Sequence, residues 1–335
     1  MTRFNAITDI PGIQVGQAQD VEALTGCTVI LCRKGAVGGV DVRGSAPGTR
    51  ETDLLDPVNL VEKVHAVVLA GGSAFGLEAA SGVMKYLAEQ RIGFGFGESR
   101  VPIVPAAILF DLGLGKSRRH PDLEMGYAAA ASAASGPVEE GNAGAGTGAT
   151  VGKIFGMAGA MKSGLGTASL DLGGGVIIGA IAAVNAFGDV VDPATGQILA
   201  GARPAKVGPL TLGGEGPFAN TMEMMKTTAG RTILNVASRG NTVIGVVATN
   251  ARFTKAEATK MAQMAQDGIA RTIRPAHTML DGDTIFALAA GPKKADVNVV
   301  GAYAAEALAL AIVRAVNAAK AAGGLPAAAD LHVQK

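Results

Sequence analysis

Residues 241–250 read NTVIGVVATN, a polar dipeptide followed by an apolar run that is rich in β-branched side chains. Such a run favours a buried β-strand, so we predict a strand over 243–249. Thr242 stands at the head of that strand. A threonine in this place is usually only the exit from a turn, but a chain cut before it would carry a hydroxyl nucleophile and a basic α-amine on one residue. The ordinary pKa of an α-amine, about 7.7 to 8.0, suits a base near neutral pH.

A second polar motif, DGDT at 281–284, also precedes a strand-like apolar run. Side chains two positions apart on extended backbone face the same side, so Asp281 and Asp283 are predicted to lie together. Such a pair of carboxylates can hold and polarise the hydroxyl and the ammonium group of a threonine. The alternative interpretation is a plain turn, because Asp and Gly both favour turns.

The composition describes a chain with room for a core and almost no net charge. Its 335 residues carry 29 Lys and Arg against 28 Asp and Glu, a formal charge of +1. A near-neutral chain without long basic runs argues against nucleic acid and against an anionic membrane surface as partners. The length suits one large α/β domain or two small ones.

The two cysteines provide information on the cellular compartment of the protein. Cys27 and Cys32 are predicted to lie on one strand and to point to opposite faces of it, which disfavours a disulfide or a metal site. Buried free thiols suit a reducing cytoplasm, which is the predicted location. The first residues lack the apolar core of a signal peptide. The segment 297–319 is the most membrane-like, but charged and polar residues interrupt it.

Strand-like and helix-like segments alternate along the chain, which predicts the α/β class. Strands are predicted at 28–33, 66–70, 176–185, 243–249 and 284–289, and helices at 76–90, 124–135, 254–272 and 297–321. Thr254 and Glu257 have the spacing of a capping box, which sets the start of the third helix. The stretch 202–241 is rich in proline and glycine and is predicted to be a surface loop leading to Thr242, and 323–335 a loose tail.

A glycine-rich segment, GAGTGATVGK at 144–153, resembles a phosphate-binding loop and fails in detail. It has Thr147 where a P-loop requires glycine and Ile154 where it requires serine or threonine. No strand is predicted before it, so nucleotide binding is not expected. The glycines permit close backbone approach and positive φ angles.

A second motif, GGSAFG at 71–76, resembles a nucleophile elbow between a strand and a helix. It has Phe75 where the elbow requires glycine. None of the histidines has an obvious partner pattern for a serine triad. Ser73 is therefore interpreted as a helix cap, which leaves it free to line a substrate pocket.

Several long motifs occur together and in order: TDIPGIQVG at 8–16, VRGSAPGTRET at 42–52, LAGGSAFGL at 69–77, GNT at 240–242 and DGDT at 281–284. Through them nearly the whole chain resembles the self-cleaving L-aminopeptidase/D-amidase (DmpA-like) family, which includes the nylon-oligomer hydrolases (NylC-like). The resemblance implies a layered αββα sandwich like that of N-terminal-nucleophile hydrolases, with two mixed sheets between helices. It also implies a homo-oligomer, a tetramer of processed protomers, without metal or organic cofactor.

The resemblance also carries over individual site residues. The Asn241-Thr242 junction is similar to the nylon-hydrolase branch, whereas many aminopeptidase relatives have Gly-Ser there. Lys153 matches a catalytic-site lysine, and Asn185 matches an asparagine that donates to the oxyanion. The alternatives are an exposed surface lysine and a turn-forming asparagine. Phe110 stands where the nylon hydrolases carry a tyrosine, which puts the substrate preference in question more than the reaction.

The mechanism implied is self-cleavage followed by amide hydrolysis. The Thr242 hydroxyl attacks the Asn241 carbonyl, and the single domain 1–335 is cut into 1–241 and 242–335, which stay associated. The freed α-amine then acts as base, Asp281 and Asp283 orient the nucleophile, and Asn185 and Lys153 stabilise the oxyanion.

Three alternatives remain open at this point. Within the hydrolases, the substrate is either the N-terminal residue of a small peptide, amide or ester, or an internal amide of a linear oligoamide such as a 6-aminohexanoate oligomer. An acyltransferase of the ornithine acetyltransferase type also cuts itself before a threonine, but its Met-Ala-Thr-Met motif is absent at Thr242. The third alternative is a binding protein that stays uncut.

Overall fold

The computed structural model describes residues 3–116, 118–207, 210–234 and 240–332. Its strands are β1 Gln14–Asp20, β2 Thr25–Val42, β3 Thr49–Arg50, β4 Lys63–Ala70, β5 Phe94–Phe96, β6 Ser99–Val101, β7 Ala106–Ile108, β8 Thr150–Val151, β9 Met161–Lys162, β10 Leu165–Asp171, β11 Ile177–Asn185, β12 Asp189–Val191, β13 Ile198–Ala200, β14 Ala205–Val207, β15 Leu210–Leu212, β16 Thr242–Ala251, β17 Ile273–Arg274 and β18 Thr284–Lys293. Its helices are α1 Ala79–Glu89, α2 Leu123–Ser132, α3 Thr221–Lys226, α4 Thr228–Leu234, α5 Lys255–Thr272, α6 Val297–Ala318 and α7 Ala328–His332.

Within the described residues, nine strands form one hydrogen-bonded sheet in the order β10-β11-β16-β18-β2-β4-β7-β3, with β1 paired to β2. Strand β2 belongs to both halves of this sheet. Its first part pairs with β1 and β4, its last part pairs with β18, and the register shifts between Leu31 and Ala36. A bulge bends and twists the strand that carries it. The two sheet layers that the resemblance implied are therefore joined through β2 into one hydrogen-bonded sheet.

Apolar clusters fill the spaces between the layers. Leu69 of one half and Phe286 of the other belong to the cluster between the two sheet layers. On the outer face of the second half, Leu308 of α6 packs with residues of β11, β16 and β18. On the outer face of the first half, Val83 of α1 packs with residues of β2 and β4. The layers follow the order helix, sheet, sheet, helix, and the predicted αββα architecture is confirmed.

Strand β16 shows why its sequence is apolar at nearly every position. Val243 and Val247 belong to the cluster under α5 and α6, whereas Ile244 and Val246 belong to the cluster between the sheet layers. Alternate side chains of a strand point to opposite faces, and both faces of β16 are buried. A strand covered on both sides requires a continuous apolar run.

Glycine allows helices α1 and α2 to touch. A Cβ added at Gly82 would lie 1.8 Å from the carbonyl oxygen of Leu123, and one at Gly126 would lie 1.9 Å from that of Ala79. Each helix therefore places its backbone against a glycine of the other. Such close contacts account for part of the chain's high glycine content.

Helix α6 is long and apolar enough, by length and composition, to cross a membrane. However, 61% of its most apolar window is buried within the protein. Its Val300, Leu308 and Ile312 belong to the core cluster beneath the second half of the sheet. Burial in the core accounts for the composition of this helix.

Most predicted elements are confirmed, with some boundaries moved. The Thr254 side chain accepts from the Glu257 backbone N–H, and the Glu257 side chain accepts from the Thr254 backbone N–H, so the predicted capping box forms. Cys27 and Cys32 are buried free thiols in β2, in clusters on opposite faces of the sheet. The helix predicted from 76 begins only at Ala79, after a 3-10 turn over Ser73–Glu78.

Two predictions of irregular structure are wrong in part. The stretch 202–241 contains β14, β15, α3 and α4, although 208–209 and 235–239 lie outside the described residues. The predicted loose tail 323–335 contains α7, and Leu325 and Ala328 within it are buried. Residues 333–335 lie outside the described part of the chain.

Candidate active site

The sheet brings the predicted site residues together at the end of three neighbouring strands. β11 and β16 are antiparallel, so Asn185 at the end of β11 pairs with Thr242 at the start of β16. β16 and β18 are parallel, so the residues before β18 lie beside those before β16, and Asn241 forms a bridge with Asp281. Strand directions alone thus gather three separate segments of sequence.

Thr242 lies against the peptide group that precedes it. Its hydroxyl donates a hydrogen bond to the carbonyl oxygen of Asn241. The backbone N–H of Gly282 donates to the same oxygen at 2.9 Å. Thr242 and Asn241 are only 4% and 1% exposed, so water has little access to this peptide group. The arrangement places a side-chain hydroxyl and a backbone donor at one carbonyl.

Asn185 is fixed by donors on its carbonyl side. Its Oδ1 accepts from Lys153 Nζ at 2.7 Å and from the backbone and hydroxyl of Thr150 at 3.0 and 3.2 Å. Its Nδ2 therefore faces the opposite way, where it donates to the carbonyl oxygens of Gly240 at 3.1 Å and Phe110 at 3.0 Å. Asn185 is the last residue of β11, and its fully buried side chain is held in one orientation by these contacts. The alternative of a turn-forming asparagine therefore does not apply.

Lys153 is buried, not exposed on the surface. Its Nζ donates to the Asn185 carbonyl oxygen at 2.9 Å and to the Gly240 carbonyl oxygen at 3.3 Å, besides Asn185 Oδ1. Burial lowers the pKa of this lysine to about 7, although the charges of Asp281 and Asp111 oppose that shift. Lys153 and Asn185 both point at the Gly240 carbonyl, one residue before the carbonyl that Thr242 contacts.

The two carboxylates lie near Thr242 without touching its hydroxyl. Asp283 Oδ1 accepts from the backbone N–H of Val243 at 2.8 Å. Asp281 Oδ2 accepts from the backbone and hydroxyl of Thr278 at 2.9 and 2.5 Å. Burial, and then the charge of Asp283, raises the pKa of Asp281. Among the described residues, the expected contact between a carboxylate and the threonine hydroxyl is replaced by contacts to neighbouring groups.

A histidine joins this site that the sequence did not single out. His277 Nδ1 lies 2.8 Å from Asp283 Oδ2, and the His277 backbone N–H donates to the same oxygen at 3.1 Å. His277 thus has a carboxylate partner that no pattern in the sequence indicated, and this partner contact involves no serine. His277 has a φ of +56°, in the left-handed region. The spacing of residues in the sequence does not predict this backbone conformation.

A cavity of about 400 Å³ opens beside this cluster. Its lining includes Phe110, Thr150, Lys153, Met157 and Gly240. The Phe110 ring lies so close to Gly240 that an added Cβ there would be 2.7 Å from a ring carbon. Phe110 thus combines a carbonyl that fixes Asn185 with a ring that borders the cavity.

Ser73 takes a different place from the cluster. It lies inside the 3-10 turn, whose N-cap position is Gly72, and the turn has no side-chain cap, so the helix-cap interpretation is wrong. Its backbone N–H donates to the Leu109 carbonyl at 2.9 Å. The described lining of the cavity does not include Ser73.

A second buried lysine, Lys162, binds the backbone of the glycine-rich segment 144–153. Lys162 Nζ donates to the carbonyl oxygens of Ala149 at 2.6 Å and Ser163 at 3.0 Å. Its side chain is among the largest that are fully buried. Because Ala149 precedes Thr150, this lysine holds the backbone that in turn fixes Asn185. Burial lowers its pKa to about 7, against the opposing charge of Asp111.

The depressed pKa of Lys162 predicts a pH dependence of stability. Between about pH 7 and about pH 10 the folded chain has lost this proton while the unfolded chain keeps it, so the unfolded state binds more protons and stability rises with pH. A Lys162→Met variant lacks this contribution. Urea denaturation at several pH values measures the free energy of unfolding of both proteins. The value for wild type minus the value for Lys162→Met is expected to increase across that range, with a slope of at most about 1.4 kcal/mol per pH unit. Lys294→Met, at an exposed position, is the control; parallel pH profiles for wild type and Lys162→Met would contradict the prediction.

Comparison with known proteins identifies the group to which this geometry belongs. The family model "Peptidase family S58" matches residues 5–328. An uncharacterized aminopeptidase of Mycobacterium tuberculosis is 43% identical over 98% of both chains. A 6-aminohexanoate-oligomer endohydrolase of Kocuria sp. is 34% identical over 84% of this chain and 73% of its own.

Solved structures agree on the fold. An L-aminopeptidase D-Ala-esterase/amidase of Ochrobactrum anthropi, described as a variant among the Ntn (N-terminal nucleophile) hydrolase fold, superimposes with a TM-score of 0.70 at 21% identity and covers 96% of this chain and 88% of its own. A β-aminopeptidase of Burkholderia sp. gives 0.67 at 23% identity, over 99% and 93%. The fold is that of an Ntn hydrolase and the protein is an aminopeptidase-like hydrolase. The chain belongs to peptidase family S58.

Proposed function

We propose that this hydrolase cuts itself between Asn241 and Thr242 and then uses Thr242 as an N-terminal nucleophile against amides. The observation that carries the proposal is the pair of contacts on the Asn241 carbonyl oxygen, from the Thr242 hydroxyl and from the Gly282 N–H. A nucleophile beside its own preceding carbonyl, in a site shielded from water, favours an intramolecular acyl shift.

In the first step, the Thr242 oxygen attacks the Asn241 carbonyl carbon and loses its proton. The developing oxyanion receives the Gly282 N–H, which already donates to that oxygen. The C–N bond then breaks, and the nitrogen keeps its own hydrogen and takes up the proton lost by the hydroxyl, which makes it the α-amine of Thr242. Water hydrolyses the resulting ester, which restores the hydroxyl and leaves a carboxylate on Asn241.

The donors of Lys153 and Asn185 serve the second reaction. Both donate to the Gly240 carbonyl while the chain is uncut. When cleavage lets Gly240 and Asn241 move away, these two donors become available to the oxyanion of a substrate. The expected roles of Lys153 and Asn185 thus apply to substrate turnover, whereas Gly282 takes the corresponding role in self-cleavage.

During turnover the free α-amine of Thr242 acts as the base for its own hydroxyl, and an acyl-enzyme forms that water then clears. Asp283 holds the start of β16 through the Val243 N–H and is itself fixed by His277. Asp281, beside it, contributes a second carboxyl that tunes the charge around the amine. None of these steps requires a metal or an organic cofactor.

The substrates proposed are small peptides and linear oligoamides, including oligomers of 6-aminohexanoate. Support comes from the endohydrolase and aminopeptidase relatives and from a cavity whose lining combines apolar Phe110, Leu114, Met157 and Leu325 with the cation of Lys153. Apolar walls suit the methylene or side-chain parts of such molecules. Removal of N-terminal residues from peptides, amides or esters is the alternative, favoured by the higher identity to the aminopeptidase.

The two fragments, 1–241 and 242–335, are proposed to stay together as one cytoplasmic protein and to assemble into homotetramers. β16 and β18 would belong to the small fragment, yet they lie between β11 and β2 of the large one. Backbone hydrogen bonds on both sides would hold the pieces together after the cut. The two buried free thiols suit a reducing compartment.

The experiment that tests the proposal is the intact mass of the purified protein under denaturing conditions, with N-terminal sequencing. Two fragments, one beginning Thr-Val-Ile-Gly, are expected. A single full-length chain that hydrolyses amides at an undiminished rate would overturn the proposal, because Thr242 could not then be an N-terminal nucleophile.

A further inference from the structure

A second cavity, of about 700 Å³, adjoins the cavity of about 400 Å³ that Lys153 and Gly240 line. The two cavities border the same three residues, Asp111, Leu112 and Gly113. Beyond these residues, the larger cavity is lined by Lys116, Arg118, Arg119 and His120. We call this larger cavity the cationic recess. Nothing in the reaction steps above uses it.

Positive charge in the recess is only partly balanced. Arg119 lies 3.4 Å from a carboxylate oxygen of Asp20 and 3.9 Å from one of Asp122. Lys116 and Arg118, in contrast, form no ion pair with a residue in the described part of the chain. Two exposed cations at the edge of a cavity raise the local concentration of anionic ligands.

The acidic residue of the recess does not neutralise these cations. Asp111 is buried, and its carboxylate accepts from the Gly72 N–H at 2.7 Å and from the Thr25 hydroxyl at 2.8 Å. These donors hold the carboxylate in place, and Asp111 forms no ion pair with Lys116 or Arg118. The remaining wall is aromatic, since the rings of Phe75 and His120 lie 5.0 Å apart and Phe75 is 63% exposed.

We propose that the cationic recess binds the carboxylate end of a linear amide substrate whose scissile bond lies at Thr242. This inference rests on the proposed function. In a linear peptide or oligoamide, the acyl part carries the free amine and the leaving part carries the free carboxylate. The recess would therefore hold the leaving part, with Arg118 and Lys116 on the carboxylate and Phe75 against the chain. A guanidinium matches the planar geometry of a carboxylate through two parallel hydrogen bonds.

The test compares two substrates that differ only at the far end, one with a free C-terminal carboxylate and one with a C-terminal carboxamide. The double variant Lys116→Gln, Arg118→Gln is expected to raise KM for the carboxylate substrate about tenfold, because the two cations that would bind the carboxylate are lost and exposed charge pairs are weak. KM for the carboxamide, kcat for both substrates and the extent of self-cleavage are expected to stay at wild-type values. Arg91→Gln, which removes an exposed cation away from both cavities, is the matched control.

Three results would overturn the recess as a carboxylate site. The first is an equal loss on both substrates, and the second is no change on either. The third is inhibition by inorganic phosphate at concentrations far below KM, relieved in the double variant, which would assign the recess to a phosphate group instead. Failure of the proposed function is separate, since an uncut, inactive wild-type chain would show it directly. In that case calorimetry with a linear carboxylate peptide and its carboxamide decides, and equal binding of the two would sink the proposal.

Discussion

A Thr242→Ala variant is expected to remain one chain of 335 residues and to hydrolyse no amide. The methyl group of alanine supplies no nucleophile for the Asn241 carbonyl, so neither the acyl shift nor the later acyl-enzyme can form. The fold is expected to survive, because the hydroxyl contributes one hydrogen bond to a neighbouring carbonyl and Val243 to Ala251 keep their strand contacts. The cost to stability is about 1 kcal/mol.

Denaturing mass spectrometry and an amide-hydrolysis assay check this outcome together. Thr242→Ser is the matched control, since it keeps the hydroxyl and is expected to be cut at the same bond and to retain activity. A Thr242→Ala protein that turns over substrate at the wild-type rate would remove Thr242 from the mechanism. Cleavage of that variant at another bond would show that a different residue is the processing nucleophile.

The second large effect is expected for Asp283→Asn. The substitution keeps the size of the side chain but places an amide nitrogen opposite donors, where Asp283 accepts from the Val243 N–H and from the backbone and ring of His277. It also removes the carboxylate that would position the α-amine of Thr242. Misplacement of a reacting group by about 1 Å can cost about 10²-fold, so we expect processing or turnover to slow by about 100-fold.

The measurement is the rate at which newly folded chain is cut, followed by mass, with kcat for a small amide on the cut enzyme. Asp281→Asn serves as comparison, because Asp281 binds Thr278 instead of the start of β16. A thermal melt distinguishes loss of chemistry from loss of fold. Wild-type rates in a folded Asp283→Asn protein would remove Asp283 from the site.

The framework of the site could be predicted from the sequence because strands carry a strong signal. The run after Thr242 is apolar on both faces, and the run after Asp283 is similar, so both strands were placed close to their observed limits. Several long motifs in a fixed order carry the resemblance to a family. That resemblance predicts the αββα fold and identifies Lys153 and Asn185 as candidate site residues. These side chains are buried and connected to each other, as a functional pair would be.

The finer contacts of the site could not be predicted, for physical reasons. Gly282 donates to the Asn241 carbonyl through its backbone N–H, and residue type does not indicate where a backbone donor will point. His277 reaches Asp283 with a positive φ, which is uncommon for residues other than glycine, so no spacing rule points to it. Lys153 and Asn185, which the resemblance implied as donors to a substrate oxyanion, both donate to the carbonyl of Gly240 in the structure, a contact that residue types alone do not reveal.

Strands β16 and β18 lie inside the sheet, so cleavage before Thr242 would change how the protein unfolds. A cut before Thr242 would turn two internal strands into an interface between separate chains, so unfolding would release two molecules instead of one. The melting temperature of the cut protein would then rise with protein concentration, whereas that of uncut Thr242→Ala would not. Once the pieces separated in dilute solution, refolding would require them to meet again, and the lifetime of the active enzyme would be set by its rate of unfolding.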